Sequence, residues 1–325
     1  MKVFSAIRSH EWWGFKLPPL LAIAYATALR SDHDLYSLGP LLLFLLGSLI
    51  VGAVFVSLIN DLTDMEEDRN SGKHNRMALL PLWQRYGLLF CSLAAGAYFF
   101  YFFAGDVASA ICYAASWLAF TLYSVPPFRL KKQGLWGALA DACGAHLFPG
   151  LLLLTAMSHA MNVPLSWAWV AAVAVWSFGY GLRGILWHQF SDREHDRTVG
   201  LRTFATSIEP SKFKKTSWFL FAVELAGLFA FLWFIARPLP FVFLGLYVLI
   251  LVAYRRKPNM EFLVVLPASH PAYHILMSSY YQMLLPISLL LTDALAHPRG
   301  WIILILHLML FPRNIRRLAM DLIKL

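Results

Sequence analysis

Two clusters of acidic residues, each following an apolar stretch, are the part of this sequence most suited to chemistry. The first cluster, N-D-L-T-D-M-E-E-D, occupies residues 60–68, and the second, D-R-E-H-D, occupies residues 192–196. On a helix that turns about 100° per residue, Asp61, Asp64 and Asp68 fall within about 60° of one another. The first cluster therefore presents three carboxylates on one helical face.

The second cluster has the same property, because Asp192 and Asp196 lie only about 40° apart on a helix. Either cluster alone is also typical of a solvated loop. Two such faces at same-side helix ends favour a bound cation, since neighbouring like charges repel one another. Carboxylate oxygens suit Mg²⁺, which usually bridges protein carboxylates to substrate phosphates. We therefore predict a Mg²⁺ site whose ligands are Asp61, Asp64, Asp68, Asp192 and Asp196.

The composition identifies a polytopic membrane protein. The chain is 59% hydrophobic and only 14% charged, which is far from the average of a soluble domain. Nine apolar stretches are long enough, or nearly so, to cross a bilayer. They are residues 17–33, 40–60, 84–104, 107–124, 136–157, 164–190, 216–235, 238–254 and 274–293, with a possible short tenth at 300–312.

The distribution of basic residues predicts the orientation of these spans. Nearly all of the 27 Lys and Arg residues fall in alternate loops on one side, and only Arg30, Arg237 and Arg299 fall opposite. By the positive-inside rule, the basic side is cytoplasmic, and it carries the amino terminus and both acidic clusters. The net charge of +9 thus reflects topology and attraction to anionic lipid, and we expect no nucleic-acid partner.

Four motifs together resemble the UbiA superfamily of intramembrane prenyltransferases. They are N-D-x-x-D-x-x-x-D from Asn60, D-x-x-x-D from Asp192 with Gly200 and Thr203 after it, Y-S-V-P-P-F-R-L-K from Tyr123, and R-S-H-E-W-W-G-F-K from Arg8. The resemblance covers residues 8–295. One departure is N-R-M-A from Asn75, where many members have N-R-P-L.

The resemblance implies one all-α membrane domain over residues 1–325, in which residues 296–325 are an additional carboxy-terminal element. The implied architecture is a bundle of nine spans plus the possible tenth, with the acidic motifs on cytoplasmic loops. The implied activity is Mg²⁺-dependent transfer of an isoprenyl group from an isoprenyl diphosphate to an aromatic or other lipophilic acceptor, with release of pyrophosphate.

The resemblance also implies roles for residues near the cytoplasmic mouth. Lys73, Arg76, Arg129 and Lys131 are expected to bind phosphate oxygens through charge-assisted hydrogen bonds. A second group of expected substrate contacts at this mouth comprises Asn60, Tyr123 and Ser124.

Polar residues within the spans are functional candidates by default. His188 and Gln189 project within about 60° of Asp192, so both are predicted to contact the acceptor, with His188 as a possible base. Arg183 projects to the opposite side of a regular helix and is expected to pack against another helix or a lipid phosphate. Glu224 is expected to be paired structurally.

Two other functions are compatible with parts of this pattern. A membrane terpene cyclase would use the same Mg²⁺ clusters and would need no acceptor. A cation or phospholipid transporter would carry polar residues through the far half of the bilayer, whereas the acidic residues here crowd one side. The sequence therefore favours a prenyltransferase, with the cyclase as the nearest alternative.

The predicted orientation can be tested by cysteine labelling in a background that lacks the three native cysteines. Cysteines introduced near Asn75 and at Ser211 should react with an impermeant reagent from the cytoplasmic side, and one near Asn162 should react from the opposite side. Equal accessibility of all three sites from one face would contradict the orientation.

Overall fold

The fold is a bundle of helices with one small pair of strands. A computed structural model describes residues 7–70, 72 and 74–323, with backbone only at 321–323. The helices are Ser9–Trp12, Leu17–Arg30, Gly39–Asn70, Leu82–Phe103, Val107–Ser124, Leu135–Ala142, Phe148–Ala160, Trp167–Ser191, Arg193–Thr198, Phe204–Ser207, Pro210–Ile235, Pro238–Tyr254, Leu285–Ala296, Gly300–Leu310 and Pro312–Ile323. The 3₁₀ turns are Met77–Leu79 and Leu130–Lys132, and the π-helical turns are Cys143–Leu147 and Tyr280–Leu284.

The predicted all-α membrane architecture is confirmed. Within the described chain, six helices are long and apolar enough to cross a bilayer: Gly39–Asn70, Leu82–Phe103, Val107–Ser124, Leu135–Ala160, Trp167–Ser191 and Pro210–Ile235. Shorter apolar helices coincide with three other predicted stretches, at Leu17–Arg30, Pro238–Tyr254 and Gly300–Leu310. The count of nine spans stays a prediction.

The predicted span at 274–293 begins too early. Strand Glu261–Leu263 pairs in parallel with strand Tyr273–Ile275, and the helical stretch starts only at Ser278. We call residues 261–279 the cap segment. Val264 and Val265 of this segment are buried, so the chain here returns into the protein instead of forming a simple exposed loop.

The first acidic motif lies on a helix and not on a loop, which corrects part of the prediction. Helix Gly39–Asn70, the first-motif helix, continues without a break through the whole acidic cluster. The uninterrupted helix keeps the spacing that the sequence implied, so its carboxylates stay on neighbouring positions of one face.

The helix that leads into the second motif packs closely on helix Pro210–Ile235. We call Trp167–Ser191 the second-motif helix. The ring of Phe231 lies 4.9 Å from that of Trp169 and 4.6 Å from that of Trp176. A Cβ at Gly227 would lie 2.6 Å from the backbone nitrogen of Trp176, so only glycine permits this approach.

This approach brings two charged side chains together inside the bundle. The guanidinium of Arg183 donates to both carboxylate oxygens of Glu224, over 2.6 Å from Nε and 2.8 Å from Nη2. Both side chains are buried. Nη1 of Arg183 also lies 3.5 Å from the carbonyl oxygen of Val264, in the cap segment. Glu224 is therefore paired structurally, as predicted, and Arg183 packs against another helix, which was one of its two predicted roles. That these two residues pair with each other was not predicted. The pair also contacts the cap segment.

The carboxy-terminal helices dock on the amino-terminal part of the chain. Nδ1 of His307 lies 3.1 Å from the hydroxyl of Tyr25. The indole of Trp13 donates to the carbonyl oxygen of Leu310 over 2.7 Å. Nδ2 of Asn314, in helix Pro312–Ile323, donates to the carbonyl oxygen of Gly14 over 2.8 Å, so this carboxy-terminal helix lies beside the segment that precedes helix Leu17–Arg30.

Arg183→Ala should lower the free energy of unfolding by about 3–5 kcal/mol, because it leaves the Glu224 carboxylate buried without a cation. Denaturant titration of the purified protein in detergent measures this loss. Arg256→Ala, at an exposed position, is the control.

Replacing both partners, as Arg183→Met with Glu224→Met, should recover most of the stability lost in the single variant, because no unpaired charge remains. A double variant as unstable as Arg183→Ala would contradict the importance of the pair.

Candidate active site

Asp61, the first carboxylate of the first motif, is almost completely buried, at 6% exposure. Its Oδ1 accepts a hydrogen bond of 3.0 Å from Nη1 of Arg8. Its Oδ2 is buried and has no hydrogen-bond partner. A buried carboxylate oxygen without a donor is costly, so this atom is a ready ligand for a cation.

Arg8 also connects the first motif to the amino-terminal segment. Its Nε donates to Oε2 of Glu11 over 2.8 Å. Oε1 of Glu11 lies 3.5 Å from Nη1 of Arg76. Although burial opposes the shift, the hydrogen bond from Arg8 holds the pKa of Glu11 below its usual value. Sequence reasoning missed Arg8 as a site residue, although it begins the amino-terminal motif.

Asn75 fixes the chain that follows the first motif. Its Nδ2 donates to the carbonyl oxygen of Asp61 over 2.7 Å and to Oδ2 of Asp68 over 2.8 Å. Its Oδ1 accepts from the amide of Ala78 over 3.0 Å. Asn75 is 6% exposed and was not among the predicted site residues. The only sequence feature that could have identified Asn75 is that it begins the N-R-M-A stretch, which differs from the N-R-P-L pattern described above.

Asp64 faces the loop that carries the Tyr123 motif. Its Oδ1 accepts from Nη2 of Arg129 over 3.0 Å and from Nζ of Lys131. Nη1 of Arg129 also contacts Glu67 over 2.7 Å. Burial lowers the pKa of Lys131, and the carboxylate of Asp64 opposes part of that shift. Two of the four predicted phosphate-binding cations, Arg129 and Lys131, thus lie beside the first motif.

Asn60, Ser124 and Tyr123 lie where the first-motif helix meets helix Val107–Ser124. The hydroxyl of Ser124 donates to Oδ1 of Asn60, and Ser124 is fully buried. The hydroxyl of Tyr123 is within electrostatic range of Asp64 and of Asp196. Tyr123 therefore lies near a carboxylate of each acidic motif.

The second motif departs from the single helix that its spacing implied. The second-motif helix ends at Ser191, Asp192 is its cap, and a short helix runs from Arg193 to Thr198. Asp192 is exposed, whereas Asp196 is 5% exposed and lies 3.5 Å from the hydroxyl of Thr203. The two carboxylates therefore differ in environment.

A cavity of about 1090 Å³ opens among these elements. Its apolar part is lined by Phe55, Tyr113, Trp117 and Phe120, and the rings of Phe55 and Trp117 stack at 4.4 Å. Asn60 lines the same cavity, so the cavity reaches the first motif. This volume suits a substrate with a long apolar part.

The two predicted acceptor contacts differ in position. His188 lines the cavity and is within electrostatic range of Asp141 and Asp192. Gln189 is 6% exposed and is not among the described residues that line the cavity, so the structure does not support it as an acceptor contact. The helix turns Gln189 about 100° away from His188, into the surrounding protein. Lys73 lies outside the described residues.

The described carboxylates are not assembled into a metal site in advance. Over the ranges that the structure describes, no three Asp, Glu, His or Cys side chains lie close enough together to hold a metal ion. Asp61 and Asp64 instead contact the chain's own cations, Arg8, Arg129 and Lys131. A metal that binds here must therefore compete with these side chains.

The sequence matches the UbiA prenyltransferase family over residues 17–260. The chain belongs to this family. A search of curated proteins finds no match to the sequence. The UbiA-family match includes both acidic motifs and the Tyr123 loop, while the cap segment and everything after it lie beyond the matched range.

Solved structures of a UbiA homolog from Archaeoglobus fulgidus share this fold. The structure bound to GPP and Mg²⁺ has a TM-score of 0.58 at 14% identity, and the one bound to DMAPP and Mg²⁺ has 0.56 at 13%. A third structure has a TM-score of 0.57 at 16% identity. Each alignment covers 94% of this chain and 99% of the other. This UbiA-family protein therefore has the fold of a multi-pass membrane protein over nearly its whole length.

Asn75→Ala should lower the free energy of unfolding by about 1–3 kcal/mol, because the carbonyl oxygen of Asp61 and the amide of Ala78 lose their buried partner. Backbone amides of residues 74–80 should also exchange hydrogen faster, which mass spectrometry measures.

Asn70→Ala is the matched control, since Asn70 is exposed at the end of the first-motif helix. Equal effects of the two substitutions would show that Asn75 does not hold this loop.

Proposed function

We propose that this protein is a Mg²⁺-dependent prenyltransferase that moves an isoprenyl group from an isoprenyl diphosphate to a lipophilic acceptor. The observation that carries the proposal is the first motif, whose carboxylates lie among basic side chains beside an aromatic-lined cavity. The family match and the GPP and DMAPP named for the structural relatives support the same substrate class.

The residues that would hold Mg²⁺ are Asp61, Asp64, Asp68, Asp192 and Asp196. Their carboxylate oxygens are hard ligands of the kind that Mg²⁺ prefers. The unpartnered, buried Oδ2 of Asp61 fits a cation ligand. When bound, Mg²⁺ acts as a Lewis acid that stabilises the negative charge of a departing pyrophosphate.

The basic side chains near Asp64 are the proposed diphosphate ligands. Arg129 and Lys131 contact a carboxylate now, and a diphosphate offers them more anionic oxygens at the same place. Arg76 contacts Glu11 on the other side of the first motif and is proposed to bind phosphate in the same way. Asn60, Tyr123 and Ser124 are proposed to line this mouth. Lys73 is proposed as a further ligand of the diphosphate.

The aromatic part of the cavity is the proposed site of the prenyl chain. Phe55, Trp117 and Phe120 supply apolar surface that shields an allylic carbocation from water, and aromatic faces attract cations. His188 lies one turn from Asp192, on the cavity side, where it can hydrogen-bond an acceptor hydroxyl and accept its proton. The basic-residue distribution supports a site that opens to the cytoplasm.

Pyrophosphate release from a prenyl diphosphate should require Mg²⁺, and Asp61→Ala, Asp64→Ala and Asp192→Ala should each lower its rate at least about a hundredfold by removing a ligand of the departing charge. Purified protein and a coupled pyrophosphate assay measure this, and binding of Mn²⁺ followed by electron paramagnetic resonance gives a second readout.

Glu66→Ala is the control, because Glu66 belongs to the same motif but is exposed. Wild-type rates in chelator, or in the three aspartate variants, would refute the proposal. Mass spectrometry of the products with and without acceptors separates transfer from the cyclase alternative, in which products form without any acceptor.

A further inference from the structure

The cavity continues from the first motif along one face of the first-motif helix. The residues of this helix that line it come in neighbouring pairs four positions apart, and they include Ser48, Leu49, Gly52, Ala53, Val56, Ser57 and Asn60. Residues at this spacing lie on one side of a helix. A Cβ at Gly52 would meet no atom within 4 Å, so open space lies beside the middle of this row. This part of the cavity is therefore a channel that runs along the helix, and we call it the channel.

Three helices each place one residue at the inner end of the channel. These residues, Ser48, Tyr113 and Leu152, line the cavity and are buried, and we call them the channel floor. The ring of Tyr113 lies 5.8 Å from that of Trp117, which also lines the cavity. It lies 5.1 Å from the ring of Phe103, which is not among the described residues that line the cavity. Tyr113 thus separates the channel from a packed region of the protein.

Side chains fill the region beyond the channel floor. The ring of Phe44 lies 5.5 Å from that of Phe103 and 4.9 Å from that of Phe99. The hydroxyls of Ser109 and Thr155 are buried and lie 2.9 Å apart. None of these five residues is among the described residues that line the cavity. The channel therefore ends at Tyr113 and does not continue along the helices.

The depth of the channel follows from the positions of its residues along two helices. Asn60 and Ser124 are hydrogen-bonded to each other, so they mark one level at the mouth. Ser48 lies twelve residues inward from Asn60, and Tyr113 lies eleven residues inward from Ser124. At about 1.5 Å per residue, the floor lies about 16–18 Å from the mouth along both helices. The two helices thus give the same depth.

This depth limits the length of a prenyl chain that lies extended in the channel. Each isoprene unit adds four main-chain bonds of about 1.5 Å, which lengthen an extended chain by about 5 Å. Three units need about 15 Å and fit above the floor, whereas four units need about 20 Å and would have to displace Tyr113 or fold back. Each unit that does fit buries more apolar surface and so strengthens binding.

We propose that Tyr113 determines the length of the donor, and that the donor is a prenyl diphosphate of at most three isoprene units, with farnesyl diphosphate as the preferred length. The inference rests on the proposed function, since it specifies the donor of the same reaction. Phe55, Trp117 and Phe120 contact the prenyl chain along its length, and Tyr113 contacts only its last unit.

Binding of unreactive donors tests the length limit without turnover. The S-thiolodiphosphates of geraniol, farnesol and geranylgeraniol compete with radiolabelled geranyl S-thiolodiphosphate for full-length protein in phosphatidylcholine nanodiscs with Mg²⁺. Empty nanodiscs correct for partition of each analogue into lipid. The farnesyl analogue should bind most tightly, and the geranylgeranyl analogue should bind about tenfold or more weakly than the farnesyl analogue.

Tyr113→Ala should strengthen binding of the geranylgeranyl analogue about tenfold relative to the farnesyl analogue, because the fourth unit gains the space of the lost ring. Tyr113→Phe should restore the limit, since the ring and not the hydroxyl closes the channel. Tyr101→Ala is the matched control: it removes the same side chain from an exposed position on helix Leu82–Phe103.

Gly52→Leu tests the channel from a second helix and opens no space. Gly52 lies eight residues inward from Asn60, or about 12 Å, which is the depth of the third isoprene unit. A Leu side chain at this open position should weaken binding of the farnesyl analogue about tenfold and change that of the geranyl analogue less than about twofold.

Wild-type protein that binds the geranylgeranyl analogue as tightly as the farnesyl analogue would overturn the length limit. So would an unchanged length preference in Tyr113→Ala, or equal weakening of the geranyl and farnesyl analogues in Gly52→Leu. If Tyr113→Ala loses all binding, Gly52→Leu alone decides the outcome. Failure of all three analogues to bind wild-type protein with Mg²⁺ would refute the proposed function itself, whereas binding without length preference would refute only this inference.

Discussion

Repulsion among the carboxylates of the first motif is the constraint on which the site depends. A continuous helix brings Asp61, Asp64 and Asp68 to one face near the end of an apolar span, where solvation of charge is reduced. The structure compensates with cations from two other segments. Arg8 approaches Asp61 from the amino-terminal segment, and Arg129 and Lys131 approach Asp64 from the loop after Tyr123. The acidic motif thus determines where three separate parts of the chain meet.

The ion pairs between these carboxylates and basic side chains also indicate how a diphosphate substrate could bind. The carboxylates need positive charge and the basic side chains need negative charge, and each is now satisfied by the other. Under the proposed function, Asp61 and Asp64 would hold the metal, and Arg129 and Lys131 would bind the diphosphate in place of Asp64. Ion pairs made within the protein would then be exchanged for ion pairs with the substrate, and little charge would be left unpaired.

The predictions made from the sequence were correct where the residues concerned recur at regular spacing within one helix. The helical spacing of Asp61, Asp64 and Asp68 and the apolar spans follow from local patterns, whereas the pairing of Arg183 with Glu224 does not. The break at Asp192 was missed because a helix end depends on its tertiary surroundings, and Gln189 was placed in the cavity by assuming a uniform face.

Arg8 and Asn75 were missed for a related reason. Arg8 contacts Asp61 from 53 positions away, and Asn75 returns from 14 positions away to bind the backbone of Asp61. Such long-range contacts have no periodicity. The cap segment was likewise predicted as loop and span because its short strands pair only with each other and are too brief to show alternation.

The buried pair between Arg183 and Glu224 has a consequence for how the chain is inserted into the bilayer during synthesis. An Arg at the centre of a helix costs about 2.5–3.5 kcal/mol to insert alone on translocon-based scales, and Arg183, which lies nearer the end of its helix, carries part of that cost. Glu224 lies on the next long helix, which is joined through the short connection that holds the second motif. The two helices are therefore expected to leave the translocon together as a hairpin, with their charges already neutralised, and the first half of that hairpin should be held at the translocon until the second has been synthesised.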